Sequence, residues 1–256
     1  MIRKIVIGIS AVATLASGTA AIAHDFFLLP ERFQTQSREP LRIQATVGSS
    51  FPAPEAAVPG DRAERPTAAG PGNPRIEVVG AGPKALNLEL AGATAGVIAI
   101  GVGSKPRDVE YAEDRIPLIL EEYRVAPQAA AAVEALPRPR SWQVVSRRFA
   151  KTFVCVANCT DRSAAERSFG AHLEFVGSRA STDRFRLLAR GKPLADYPID
   201  LVGPDGKRQH LRTDAQGNIH LGKDFSGATM LFAAKLEPPA GAGRFTLDLT
   251  SLTFGR

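Results

Sequence analysis

The chain has 256 residues, of which 44% are hydrophobic and 23% are charged, and its formal net charge is +6. This composition is that of a globular protein, and it excludes a fibrous or intrinsically disordered chain. The basic residues are scattered and form no stripe with interleaved aromatic residues, so we do not expect nucleic acid as a partner.

The N-terminus has the pattern of a secretory signal peptide. Arg3 and Lys4 precede an apolar run over residues 5–16, and small residues follow up to Ala21-Ile22-Ala23. This order predicts a signal peptide over residues 1–23, cleavage after Ala23, and a periplasmic or secreted protein. The apolar run is too short to span a bilayer, which takes about 20 residues, and no later stretch is longer. Loss of Arg3 and Lys4 lowers the formal charge from +6 to +4.

Most of the mature chain has the pattern of short β-strands. Residues 41–47 alternate apolar and polar side chains, as a strand with one face on a core does. Six prolines between residues 49 and 74 predict a long surface excursion rather than strands. Further strand candidates, separated mostly by Gly-, Pro- or Ala-rich turns as in a sandwich, are residues 75–79, 85–90, 96–102, 146–156, 171–176, 185–190, 197–202, 209–213, 219–221, 230–235 and 245–250.

A helical segment interrupts the strands. Residues 116–123 and 127–136 have helical composition, and Pro127 suits the first turn of a helix, so we expect one or two short helices. The predicted fold is therefore all-β, with two antiparallel β-sandwich domains and a short helical insertion. The first domain covers residues 24–140 and includes the proline-rich loop, and the second covers residues 141–256.

Cys155 and Cys159 are the only cysteines of the chain. Export to an oxidising compartment favours a disulfide between them. The closed loop is short, so its contribution to stability is expected to be modest. A reduced thiol pair that binds Cu(I), or two separate thiols, are the alternatives.

Cleavage after Ala23 makes His24 the first residue of the mature chain. A terminal histidine offers an α-amine and an imidazole, which together chelate copper or nickel. The apolar residues from Phe26 to Leu29 predict that the new terminus is held in a buried first strand. The alternative is that His24 merely begins this strand and binds nothing.

A metal held by His24 needs a further ligand, for which three histidines are available: His172, His210 and His220. A three-residue turn with its bulge at Gly217 predicts a hairpin that places His210 and His220 diagonally on one face. His172 shares a strand face with Glu174, and both side chains are expected in solvent. For all three histidines, an ordinary surface position without a metal is the alternative.

Several short motifs follow one another along the mature chain. They are His24-Asp25-Phe26-Phe27-Leu28-Leu29-Pro30, the strands at residues 148–151 and 170–174, the turn at residues 213–217, and Leu252-Thr253-Phe254. In their order and spacing the chain resembles the DUF4198 family over essentially its whole mature length. The resemblance implies an exported bacterial protein whose C-terminal half is similar to a transthyretin-like or carboxypeptidase-regulatory-like sandwich. Some members are labelled nickel-uptake components, which implies a link to a metal.

Together these features predict a periplasmic binding protein that binds or delivers copper or nickel through His24, with a membrane transporter or another envelope protein as its partner. The alternative is a metal-free accessory or adhesion-like sandwich that binds a protein or a carbohydrate. The sequence contains no hydrolase, phosphate-binding or dinucleotide motif, so we expect no enzyme. A copper oxidoreductase that uses the same terminal histidine is the one catalytic hypothesis.

Overall fold

The computed structural model describes residues 24–222 and 226–255. The predicted signal peptide, residues 1–23, lies outside the described residues. The described chain forms three β-sheets, two short α-helices and one 3-10 turn. Within this part of the chain, no helix has the length and apolar character that a membrane span requires.

The strands in the first half of the chain are β1 Asp25–Pro30, β2 Gln34–Thr35, β3 Leu41–Gly48, β4 Ala56–Ala57, β5 Thr67–Ala69, β6 Gly72–Ala81, β7 Leu86–Ala93, β8 Gly96–Gly103 and β9 Arg107–Ala112. The helices α1 Ile116–Glu122 and α2 Pro127–Glu134 follow. The remaining strands are β10 Ser141–Val156, β11 Leu173–Gly177, β12 Arg184–Ala189, β13 Lys192–Pro193, β14 Pro198–Val202, β15 Arg208–Arg212, β16 Asn218–His220, β17 Ala228–Glu237 and β18 Phe245–Gly255, and the 3-10 turn Ser163–Glu166 lies between β10 and β11.

The sheets differ in size and share no strand. The five-stranded sheet has the order β1-β3-β7-β6, with β4 also on β3. The nine-stranded sheet has the order β15-β14-β17-β18-β10-β8-β5, with β2 and β9 also on β10. The four-stranded sheet has the order β11-β12-β13, with β16 on β12. Pairing between the described strands is antiparallel, apart from the parallel pairs β10–β18 and β10–β2.

The nine-stranded sheet is the middle layer of the sandwich. Along β18, Leu247 and Leu249 lie in an apolar cluster with the two helices, while Leu252 and Phe254 lie in a cluster with the four-stranded sheet. This alternation follows from the two-residue period of a strand. A third cluster fills the space between the middle layer and the five-stranded sheet. The all-β sandwich predicted from the sequence is thus confirmed.

The middle sheet crosses the predicted domain boundary at residue 140. Strands β8 and β9 precede this residue, and both pair with β10, which follows it. A division into residues 24–140 and 141–256 would therefore separate strands that are hydrogen-bonded to each other. Independent folding of these two parts stays a prediction.

Several local predictions are confirmed. Both helices form, and Pro127 occupies the first turn of α2. The predicted disulfide between Cys155 and Cys159 forms, so the alternative of free thiols does not hold. The proline-rich segment is not only a surface excursion, because β4 pairs with β3 and β5 pairs with β8 between its prolines.

The predicted hairpin around Gly217 is only partly right. Gly217 has a φ of 74° and donates a backbone hydrogen bond to Asp214 at 3.0 Å, as the turn requires. The two flanking strands then separate, because β15 joins β14 in the middle sheet and β16 joins β12 in the four-stranded sheet. The prediction that His210 and His220 share one hairpin face is therefore wrong. Each strand is paired in a different layer of the sandwich.

Glu174 is buried rather than in solvent, which corrects the prediction for this side chain. Its carboxylate lies 2.7 Å from the Nζ of Lys151, which is fully buried and also donates to two backbone carbonyls. A hydroxyl and two backbone amides of residues 168–170 donate to the same carboxylate. Burial lowers the pKa of Lys151, and the carboxylate of Glu174 opposes this effect. The pair links the middle sheet to the four-stranded sheet.

The loss of stability on removing one member of this buried pair should depend on which member is removed. We expect Glu174→Ala to lower the free energy of unfolding by about 3–5 kcal/mol, because it leaves a buried ammonium without a carboxylate. Lys151→Met should cost less, because the carboxylate keeps its hydroxyl and amide donors. Urea unfolding of both variants, with the exposed Glu166→Ala as the control, measures this order. Equal losses in the two variants would contradict it.

The free edge of β1 is covered by side chains of the middle sheet. Within the five-stranded sheet β1 pairs only with β3, so alternate carbonyl groups point away from that sheet. Side-chain donors reach three of them: Arg148 Nη1 bonds the oxygen of His24 at 3.0 Å, Ser251 Oγ that of Phe26 at 2.6 Å, and Thr253 Oγ1 that of Leu28 at 2.6 Å. The prediction that the first strand is buried and held is confirmed.

We expect these hydroxyl groups to hold the first strand in place. Thr253→Val keeps the shape of the side chain but leaves the buried Leu28 carbonyl without its donor, which costs about 1–3 kcal/mol. Hydrogen exchange of the amides of residues 25–29 should become faster in this variant. The control is Thr246→Val on the same strand, which should change neither the free energy of unfolding nor the exchange rate. Unchanged exchange in Thr253→Val would contradict the expectation.

Candidate functional site

A cleft of about 620 Å³ opens beside the start of β1. Its walls come from β1, β3, β4 and the loop after β4 on one side and from β9 and β10 on the other. The lining residues are His24, Phe26, Val47, Ala56, Ala57, Val58, Pro59, Arg62, Ser104, Arg107, Val109, Tyr111, Ser146 and Arg148. We call this site the arginine cleft, because three of these residues are arginines.

The pairing of β9 with β10 places one wall of the arginine cleft. Arg107, Val109 and Tyr111 alternate along β9 and therefore share a face. In the antiparallel register Arg107 lies opposite Ser146, and Arg148 shares the face of Ser146 on β10. Two strands thus present polar and apolar side chains to the same space.

His24 lies at the edge of the arginine cleft and is about half exposed. Its Nε2 atom is 3.7 Å from the Oε2 atom of Glu55. A hydrogen bond of 2.8 Å from the hydroxyl of Ser49 holds this carboxylate. That bond and the imidazole of His24 keep the pKa of Glu55 below its ordinary value. Glu55 is therefore ionised and oriented where it meets the imidazole.

Asp25 is buried in a cluster of charged side chains that we call the Asp25–Asp200 cluster. Arg208 bridges the two carboxylates, with Nη2 bonded to Asp25 and Nη1 at 3.0 Å from Asp200. Arg124 Nη1 also donates to Asp200 at 3.1 Å, and His210 Nδ1 lies 2.8 Å from the same carboxylate. Guanidinium groups thus occupy the positions that a metal cation would need between the acids.

Burial dominates the titration of Asp25. It raises the pKa of this carboxyl from 3.8 to about 6, although Arg208 opposes the shift. Burial lowers the pKa of Arg208, but Asp25 and Asp200 together raise it above its ordinary value. One guanidinium shared by two buried carboxylates keeps its own charge and compensates Asp25 only in part.

The four histidines lie in four different settings. His24 meets Glu55, His210 meets Asp200, and His172 Nε2 is 3.3 Å from Arg147 Nη1. His220 lines a separate cleft on the four-stranded sheet. Among the described residues, no three His, Cys, Asp or Glu side chains form a group that could hold a metal ion. The structure does not gather the predicted ligands, and metal binding by His24 stays a prediction.

Two parts of this region were missed by the sequence analysis. Strand β9 was not predicted, although Val109 and Tyr111 alternate with charged residues there, which is a strand signal. The bond between Asp25 and Arg208 joins residues 183 positions apart. No local pattern indicates such a pair.

The described elements define an all-β sandwich protein. A family model described as "Domain of unknown function (DUF4198)" matches residues 21–235, and the chain belongs to this family. Among solved structures, the chain is similar to the "D0-D1 domain of Intimin" at 11% identity and a TM-score of 0.26, with 90% of this chain and 97% of that chain covered. A TM-score this low carries no argument about function. No curated protein matches the chain.

The raised pKa of Asp25 predicts a stability that falls as the pH rises. Between pH 4 and about 6 the folded state binds a proton that the unfolded state has released, so raising the pH through this window costs folding free energy. The loss of folding free energy is on the order of 2–3 kcal/mol, and it reaches its full size once the pH exceeds the pKa of Asp25 in the folded state. Asp25→Asn should remove this part of the pH dependence.

Urea unfolding of wild type and Asp25→Asn from pH 4 to 7.5 measures this difference. Asp108→Asn, at an exposed ion pair with Arg244, is the control and should follow the wild-type profile. Parallel profiles for wild type and Asp25→Asn would show that Asp25 has an ordinary pKa.

Proposed function

We propose that this is an exported binding protein that takes up a copper or nickel ion at His24 after signal-peptide cleavage. Delivery to a membrane transporter or another envelope protein completes the proposal. The observation that carries it is the contact of 3.7 Å between Nε2 of His24 and the carboxylate of Glu55. The consequence of this contact for the imidazole and two further features of the same region support it.

The contact with Glu55 leaves the correct nitrogen for chelation. A carboxylate beside one ring nitrogen favours the tautomer with a proton on that nitrogen, and the other nitrogen is then a free donor. In His24 the free donor is Nδ1, which is the nitrogen nearer the backbone. The α-amine released by cleavage after Ala23 would be the second donor. A copper or nickel ion is a Lewis acid suited to such nitrogen donors.

The position of His24 is also suited to a defined site. The residue after it is buried, and the carbonyl oxygen of His24 itself accepts the bond from Arg148. A chain end held in this way loses little conformational freedom when a ligand binds, which favours affinity. A frayed terminus would have to be ordered by the metal itself.

The donor set supports exchange rather than permanent storage. The chain offers two nitrogen donors at His24, and the Glu55 carboxylate faces the opposite ring nitrogen. Copper and nickel prefer more ligands than two, so solvent or an added ligand would complete the coordination. An incomplete protein site releases its metal more readily, as a protein that passes metal to a partner requires.

The first test examines the two donors of His24, the imidazole and the α-amine, separately. Intact-mass analysis should show that the exported protein begins at His24. Titration of the metal-free protein with Cu(II) should then show one ion per chain, and His24→Ala should weaken binding by on the order of 100-fold. A variant with five alanines added before His24 keeps the imidazole but moves the terminal amine out of chelating distance, and it should lose affinity to a similar extent.

Two further variants sharpen the test. Glu55→Gln should weaken binding by roughly tenfold, because it removes the carboxylate that orients the ring. His220→Ala, on the four-stranded sheet, is the matched control and should bind like wild type. A different mature N-terminus, or undiminished binding in the alanine-extended variant, would overturn the proposal.

A further inference from the structure

The arginine cleft collects positive charge. Arg62, Arg107 and Arg148 line it together with His24, and no residue of its lining is acidic. Arginine is the side chain whose planar fork matches a carboxylate or a phosphate group. Three such groups around one cavity repel one another unless an anion lies between them.

Two of these arginines have no carboxylate partner in the described part of the chain. Within residues 24–222 and 226–255, neither Arg62 nor Arg107 forms an ion pair or a side-chain hydrogen bond. The neighbouring Asp108 points to the other face of β9, where it pairs with Arg244. Asp25, the buried acid that follows His24 in the chain, is already bonded to Arg208. The positive charge of the cleft is therefore available to a ligand.

The third arginine is held in place. Arg148 Nη1 donates to the carbonyl of His24 at 3.0 Å, and its backbone amide donates to the hydroxyl of Ser104 at 3.1 Å. The first bond limits the rotamers of this long side chain and so reduces the entropy lost on binding, whereas the second fixes the backbone that carries it. One anchored and two unpaired guanidinium groups are an arrangement that can receive an anion.

The remaining walls are largely apolar. Phe26, Val47, Val58 and Val109 line the cleft along with the arginines. A volume of about 620 Å³ is in the range of pockets that hold small organic molecules, which combine apolar walls with a few placed polar groups. An inorganic anion would leave these apolar walls without a contact.

We propose that the arginine cleft binds a small organic carboxylate. The carboxylate lies against the guanidinium groups of Arg62, Arg107 and Arg148, and the apolar part of the ligand lies against Phe26 and the valines. The inference does not depend on metal binding at His24, since the arginines and the apolar walls are present without a metal. It adds an organic ligand to the same end of the molecule.

Calorimetric titration of the metal-free protein at low ionic strength tests this inference. The probes are benzoate, phthalate and citrate. Inorganic phosphate is the comparison anion, which carries negative charge but has no apolar part. We expect one saturable site for an aromatic carboxylate and weaker binding of phosphate. Failure of every carboxylate to bind at millimolar concentration, or phosphate binding as tight as the best carboxylate, would overturn it.

Variants locate the binding site. The double variant Arg62→Gln and Arg107→Gln should weaken carboxylate binding by roughly tenfold or more, as the loss of charge-assisted hydrogen bonds implies. Arg107→Lys keeps the charge without the fork and should lie between the double variant and wild type. Arg65→Gln is the matched control, because Arg65 lines a different cleft, and it should bind within about twofold of wild type.

One variant separates this inference from the metal proposal. His24→Ala keeps the backbone carbonyl that holds Arg148 and leaves all three arginines in place, so it should still bind the carboxylate at the same site while its affinity for Cu(II) falls by on the order of 100-fold. Carboxylate binding in His24→Ala with no loss in the double arginine variant would place the anion elsewhere and overturn the inference. Circular dichroism and thermal unfolding of each variant confirm that the fold is retained.

Discussion

The burial of the first strand is the constraint on which the rest of the site depends. Along β1, Phe26 and Leu28 lie in the cluster between two sheets, and Phe27 lies in the cluster that contains the helices. Hydroxyl groups of β18 bond the outer carbonyls of the strand, so its edge is closed by side chains. A residue at the predicted start of the mature chain thereby gains a defined position.

The same strand joins distant parts of the protein. Asp25 bonds Arg208 of β15, and the Asp25–Asp200 cluster extends this link to Arg124 after α1. The cluster holds two buried acids, one of them next to His24 in the chain, and withholds both from a metal, because guanidinium groups bond their oxygens. What remains open at this end of the molecule is the imidazole of His24 and the arginine cleft beside it. The metal site proposed at His24 therefore borders the cleft proposed for an organic anion.

Features that depend on neighbouring residues were predicted well from the sequence. Most of the longer strands, both helices and the buried start of the chain follow from apolar periodicity and proline placement, whereas β9 and the short strands β4 and β5 were not predicted. The Cys155–Cys159 disulfide follows from proximity and an expected oxidising compartment. The turn at Gly217 also forms as predicted, but the pairing beyond it fails, because its two flanking strands join different sheets. Turn chemistry determines how the chain reverses and leaves the choice of sheet to packing.

By itself, the sequence determined the β-sandwich class. It also predicted the export signal and indicated His24 as a candidate ligand. The tertiary structure alone decided which charges meet, such as Glu174 with Lys151 and Asp25 with Arg208. It also decided that the four histidines lie apart and that Arg62, Arg107 and Arg148 converge. The physical reason is that side-chain periodicity is local, whereas charges 23 and 183 positions apart meet only where buried layers pack together.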